Sequence, residues 1–192
     1  SCEQVRFCNS GTEAVMGAIK AARAFTNRPA IIKIEGSYHG TYDHAEASLG
    51  SDTSNWGTAH QPITIPYSTG TPESLAEEVV VVQFNDVNGV TEAIQRIGPR
   101  LAAVLLDAMP SRVGMPAIEQ SFIEAIRTGT TDVGALLILD EVISFRLALG
   151  GAQSLHNIEP DLTALAKIIG GGFHVGAIGG RADVMDVFAA VK

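Results

Sequence analysis

The chain has few of the features that usually announce a partner. It carries no run of lysines or arginines, and its 13 basic residues are outnumbered by 21 acidic ones, for a formal charge of −8. That balance argues against nucleic acid or an anionic membrane surface as partner. No apolar stretch approaches the roughly 20 residues of a membrane span, and no signal peptide is visible. Only two cysteines occur, Cys2 and Cys8, without the spacing of metal ligands, so a reducing, cytoplasmic setting is the default. His39 and His44 have no acidic or cysteine companion at standard spacing, and no metal site is expected. Two glycine fingerprints are missing as well. Gly170-Gly171-Gly172-Phe173-His174-Val175 lacks the last glycine of G-x-G-x-x-G, and G-x-x-x-x-G-K occurs nowhere, which weighs against a nucleotide-binding domain.

What the chain does have is aliphatic bulk and glycine: 46% of its 192 residues are hydrophobic and 20 are glycine. That suits one substantial α/β domain with tight turns between strand and helix. Val5-Arg6-Phe7 reads as the end of a strand. Ser10 then starts a helix, with Ala14, Val15, Ala18, Ile19, Ala22 and Phe25 at helical spacing and Ser10 and Glu13 at the S-x-x-E spacing of a capping box. Apolar strands are expected at Ala30 to Ile34, Val79 to Val82, Leu101 to Leu106, in the run that closes on Asp140, and before Lys167. Between them a helix around Val90 to Ile97 is stopped by Gly98-Pro99. Another lies around Phe122, Ile123 and Ile126, with Gly129 as its expected stop. A short segment, Gly176 to Gly180, precedes a last helix from Ala182. Residues 41–78 lack periodicity and read as a long functional loop or flap. Strands alternating with helices, several of them apolar throughout, predict a mainly parallel sheet covered on both faces. The chain begins at Ser1 without a methionine and meets its first motif within ten residues, so a piece of something longer is expected.

In such a sheet ligands sit outside the carboxyl ends of the strands. The unusual polar residues fall there: Asn9-Ser10-Gly11-Thr12, Tyr38-His39, Asp107, Asp140 and Lys167. The helix start at Ser10 offers free backbone N–H groups, hydroxyls and the positive end of a helix dipole, a natural phosphate cradle; it serves equally as an ordinary cap. Tyr38-His39 could stack on an aromatic ring or close a strand. Asp140, after a buried apolar run, needs a cation or several donors. A pyridinium N–H would serve, and so would Arg146. Lys167 sits between the apolar run Leu162 to Ala166 and Ile168-Ile169-Gly170-Gly171-Gly172. Such surroundings suit an amine kept partly desolvated as a nucleophile; the plain alternative is a lysine snorkelling at a strand end. A Schiff-base lysine and an aspartate on a ring nitrogen are the two groups that a pyridoxal phosphate site requires of a protein.

The ordered set Asn9-Ser10-Gly11-Thr12-Glu13-Ala14, Tyr38-His39-Gly40, Asp140-Glu141-Val142 and Lys167-Ile168-Ile169-Gly170-Gly171-Gly172 resembles the class III pyridoxal-phosphate-dependent aminotransferases. Within them it is most similar to the glutamate-1-semialdehyde 2,1-aminomutase branch and the related β-amino-acid (β-phenylalanine-type) aminotransferases. The likeness spans almost the whole chain. It implies an α/β large domain of fold type I, over residues 1–192, with a mainly parallel sheet, helices on both faces and one antiparallel strand. The N-terminal segment and the C-terminal small domain of the family have no counterpart here.

The resemblance also implies roles. Ser10, Gly11 and Thr12 bind the cofactor phosphate. Tyr38, with His39 beside it, and Val142 cover the two faces of the pyridine ring. Asp140 pairs with the ring nitrogen. Lys167 holds the cofactor as a Schiff base and then shuttles a proton, a task for an amine able to be neutral near pH 7. The implied reaction moves an amino group from an amino acid or amine to a keto or aldehyde acceptor, in a homodimer with its pocket at the subunit interface. The intramolecular version catalysed by aminomutases is the alternative, and a non-catalytic cofactor-binding fragment is another. The chain departs from the family where Asp107-Ala108-Met109 replaces Glu-Pro-Val and where Phe173-His174-Val175 replaces a proline after the glycines; both changes lie toward the substrate.

Overall fold

The computed structural model describes residues 2–59 and 62–189. Seven strands form one sheet: β1 (Gln4–Cys8), β2 (Ala30–Ile34), β3 (Val79–Val82), β4 (Leu101–Leu106), β5 (Leu136–Asp140), β6 (Leu162–Leu165) and β7 (Gly176–Gly180). They lie in the order β1-β7-β6-β5-β4-β2-β3. The strands β2 to β6 run parallel, and β7 is antiparallel to both of its neighbours. The helices are α1 (Gly11–Thr26), α2 (Asp43–Glu46), α3 (Val87–Ile97), α4 (Gln120–Val133), α5 (Gly151–His156) and α6 (Ala182–Met185).

The strand sequences explain the layers. Every residue of β4 and β5 is buried, which is what a strand covered on both faces requires. Alternation sends Leu136 and Ile138 of β5, with Ala103 and Leu105 of β4, to the core under α1, where they meet Ala14, Ala18 and Ile19. Leu137 and Leu139, with Val104 and Leu106, face the opposite core, where α3 and α4 supply Val90, Ile94, Phe122 and Ile126. The expected α/β sheet with one antiparallel strand is therefore present.

One helix boundary differs from the sequence reading. The second amphipathic helix does not stop at Gly129; α4 continues to Val133 and ends at Gly134, whose φ is +67°. Gly129 serves packing instead. A Cβ there would stand 2.9 Å from Ile94 Cδ1, so its absence lets α4 lie close on α3. Residues 41–78 are largely irregular, as expected, but contain α2 and a 3₁₀ turn at Glu73–Glu77.

This loop has an anchor that periodicity did not announce. Lys33, in the middle of β2, is fully buried. Its Nζ donates to the carbonyls of Ser37 (3.1 Å) and Ala47 (2.5 Å), fastening both ends of the segment that carries Tyr38 and His39.

Candidate active site

Parallel strands share one carboxyl edge. The strand β1 points the same way as β6, because the intervening β7 is antiparallel to both. The polar residues that close β1, β2, β4, β5 and β6 therefore come to a single edge, and they wall one cavity of about 290 Å³. Every residue singled out above as cofactor-binding lines it, together with Asp107 and His174.

The α1 end is built by local hydrogen bonds. Ser10 Oγ accepts the Glu13 N–H at 3.2 Å, and the Glu13 carboxylate accepts the Asn9 N–H at 2.7 Å. The capping reading is thus correct, and it leaves the cradle intact. The N–H groups of Gly11 and Thr12 take no partner among the described residues, as the first turn of a helix dictates. The loop after β2 lies directly on this turn. Gly40 has φ +91°, and a Cβ on it would come within 2.8 Å of Thr12 Cα, so only glycine fits; the Thr41 N–H then reaches Thr12 Oγ1 at 3.3 Å.

Asp140 is 5% exposed and finds its partners locally. Oδ2 meets His39 Nδ1 at 2.8 Å, and Oδ1 accepts the Val142 N–H at 2.9 Å. Arg146, the other partner considered, makes no ion pair with it. The second ring nitrogen of His39, Nε2, is buried and unpartnered. His39 thus reaches the cavity as a support for Asp140 more than as a stacking ring; Tyr38, 40% exposed, is the ring left open to a ligand. On the α1 side Val142 is held tightly: a Cβ at Gly11 would stand 3.1 Å from its methyl.

Lys167 occupies the first position after β6 and Ala166, and it departs from expectation. It is exposed rather than desolvated, since the apolar residues before it belong to the sheet and only the glycine-rich turn follows. Its backbone is unusual in another way: φ is +48°, a left-handed conformation that costs a non-glycine residue energy. Strain of that kind collects where a side chain must point in one direction. Across the cavity Asp107 is 5% exposed, and its Oδ1 accepts the Met109 N–H at 2.8 Å. Burial, and then the charge of Asp140, push its carboxyl up to about 6 against the opposing pull of His39, the Met109 N–H and Lys167. Among the described residues no group of His, Cys, Asp and Glu is arranged to hold a metal ion, and no helix is long and apolar enough to cross a membrane.

Known proteins share both the sequence and this architecture. The model of the aminotransferase class-III family matches residues 1–192. The chain belongs to the class III aminotransferase family. The cofactor of that family is pyridoxal phosphate. A glutamate-1-semialdehyde 2,1-aminomutase from Pyrobaculum aerophilum is 46% identical over 190 residues, 98% of this chain and 43% of that protein. An omega-transaminase from Sphaerobacter thermophilus superposes with a TM-score of 0.94 at 51% identity, covering 98% of this chain and 43% of that one. A β-phenylalanine aminotransferase from Variovorax paradoxus does so with a TM-score of 0.79 at 38% identity, over 98% of this chain and 39% of the other. The chain thus spans less than half the length of these relatives.

The residues present fit the cofactor. Two free N–H groups at a helix start suit its phosphate, Asp140 offers an acceptor beside the buried, unpartnered Nε2 of His39, and an open aromatic ring and a lysine amine face the same space.

Proposed function

We propose that this chain is the cofactor-binding large domain of an aminotransferase. It moves an amino group between an amino acid or amine and a keto or aldehyde acceptor, and it works as a homodimer. The observation that carries the reading is the convergence of Lys167, Asp140 and the α1 start on one cavity of about 290 Å³. When bound, pyridoxal phosphate supplies an aldehyde for a lysine amine and an electron-withdrawing ring.

The chain's own residues do the rest. Gly11 and Thr12 would hold the phosphate through backbone N–H groups at the helix start. Asp140 would hold a proton at the ring nitrogen, and His39 fixes its carboxylate from behind at 2.8 Å. Tyr38 and Val142 would cover the two ring faces. Lys167 Nζ would anchor the cofactor and, once freed by the substrate amine, would carry a proton from the substrate carbon to the cofactor. A second reading, intramolecular transfer between adjacent carbons, has one specific support: the Pyrobaculum relative bears an aminomutase name.

The test is borohydride reduction of the chain with pyridoxal phosphate, followed by mass spectrometry. We expect one reduced adduct, on Lys167, and none in Lys167→Ala, which still folds because the exposed side chain supports no core. Labelling elsewhere, or none, sinks the assignment. If Lys167 is labelled but no amino donor changes the cofactor absorbance, the chain is a non-catalytic cofactor-binding fragment.

A further inference from the structure

One buried acid has no part in the chemistry described so far. Asp161 holds Arg127 and Arg181, and Asp140 holds His39, whereas Glu141 is fully buried and takes no cation among the described residues. Its carboxylate spends both oxygens on one place in the chain. Oε2 accepts the Ala152 N–H at 3.0 Å, and Oε1 accepts the Gln153 N–H at 2.8 Å and the Gln153 side-chain amide at 3.2 Å. A carboxylate without a counter-ion needs such a set of donors to stay buried. Gly151 makes the approach possible, since its φ is +73° and a Cβ there would overlap Glu141 Oε2.

The backbone of Glu141 is fixed as well. Its N–H donates to the Ala164 carbonyl on β6 at 2.9 Å, three residues before Lys167, and its carbonyl accepts the Phe145 N–H at 3.1 Å. Residues 142–150 therefore form an arch whose two ends are tied together by one side chain. The cofactor cavity depends on that arch. Asp140 directly precedes it, and Val142 and Ile143 line the cavity from it. Val142 also presses on the α1 start, 3.1 Å from where a Cβ on Gly11 would lie. The plain alternative is a cap for α5. A helix cap, however, is ordinarily supplied by the residue beside the helix; here it comes from a strand end 11 positions upstream, next to Asp140.

We infer that Glu141 is a positioning residue: by closing the 142–150 arch it fixes Asp140 and Val142 relative to Lys167, and so sets how firmly the cofactor is held. The assignment rests on the cofactor reading given above.

Two measurements on the full chain test it, the first without cofactor. The His39 Nδ1–H signal in NMR reports the bond to Asp140 through its exchange with water, and titration with pyridoxal phosphate, followed by absorbance, reports affinity. Glu141→Gln keeps the volume but loses one acceptor and turns an amide N–H toward a backbone N–H. It should speed His39 Nδ1–H exchange and weaken cofactor binding about 10-fold each, the scale of one hydrogen bond to a charged group. Gln153→Ala removes a single donor and should fall between wild type and Glu141→Gln. Ala152→Gly is the structural control: it loosens α5 through lower helix propensity and keeps the backbone N–H, so both readouts should stay within about twofold. If Ala152→Gly reproduces the losses, or Glu141→Gln leaves either readout within twofold, Glu141 is only a cap and the assignment falls. Should Glu141→Gln not fold, Gln153→Ala decides on the same terms, and wild-type values in it overturn the assignment. Borohydride labelling of Lys167 is read in parallel. A wild-type chain that is never labelled disproves the cofactor reading, and His39 exchange alone then decides whether Glu141 positions Asp140. Normal labelling with unchanged exchange and affinity in Glu141→Gln disproves only the role of Glu141.

Discussion

Lys33 precedes Tyr38 in the chain and His39 follows it, yet these two buried ionisable residues are spent differently. His39 and Asp140 bond to each other at 2.8 Å and leave Nε2 of the histidine unpartnered beside the cavity. Lys33 gives its donors to two backbone carbonyls. One residue keeps capacity in reserve for a ligand; the other is used up in holding a loop. Burial alone therefore does not mark a reactive group. What separates the two is whether the polar atoms face a cavity or the backbone.

The sharpest way to break this comparison is to remove an acid from the first pair. Asp140→Ala strips a buried acceptor from both His39 and the Val142 N–H. It should cost about 3–5 kcal/mol in urea-denaturation stability, the scale for breaking a buried pair on one side. Retention of pyridoxal phosphate on gel filtration should fall with it. A loss below about 1 kcal/mol would mean that His39 finds another partner and that the pair is not the support described here.

Asp107 tests the cavity edge through pH. Its carboxyl lies above the usual aspartate value, at about 6. Its contribution to stability is therefore complete below the unfolded value near 3.8 and is lost as pH rises through about 6. Asp107→Asn keeps an acceptor for the Met109 N–H and removes the titration. The stability difference between variant and wild type should shift in the variant's favour by at most about 3 kcal/mol between pH 4 and pH 7. Taking the difference cancels the contribution of Glu35, which titrates in the same direction over an overlapping range. A difference that stays flat from pH 4 to 7 would show that Asp107 ionises freely.

Legibility in the sequence followed the same division. Asp140 and Lys167 were readable because each ends a long apolar run, and a polar group there has few bland explanations. The shared carboxyl edge followed from the alternation of strands and helices. Three features were not readable. Gly129 looked like a helix stop because a glycine that terminates and a glycine that lets two helices touch are identical in one dimension; the contact with Ile94 lies on another helix. The exposure of Lys167 was hidden because its apolar neighbours in sequence belong to the sheet, while Lys167 itself stands past the strand end, exposed and lining the cavity. The His39–Asp140 bond joins residues 101 positions apart, which no local pattern encodes.

Lys33 is a fourth such feature, passed over when Ala30 to Ile34 is read as an apolar strand. Alternation places it on the same face as Ile31, beneath the loop, where burial holds its amine down at about 7 while Glu35 opposes the shift. Lys33→Met keeps the length and apolar stem but orphans the carbonyls of Ser37 and Ala47. Two lost bonds cost about 1–3 kcal/mol, but at pH 7 an amine lowered from 10.5 to about 7 penalises the wild type by a comparable or larger amount, so no net loss is expected at pH 7 and the loss should emerge as pH rises toward about 10. Because the low amine value penalises the wild type more as pH falls from about 10 toward 7, the variant should lose most ground at pH 9 and least at pH 7. Hydrogen exchange should rise in 37–47 and stay unchanged in β5. If exchange instead rises at Asp140 and Val142, Lys33 and the His39–Asp140 pair are coupled through the Tyr38 loop, and the separation drawn between holding and reacting fails.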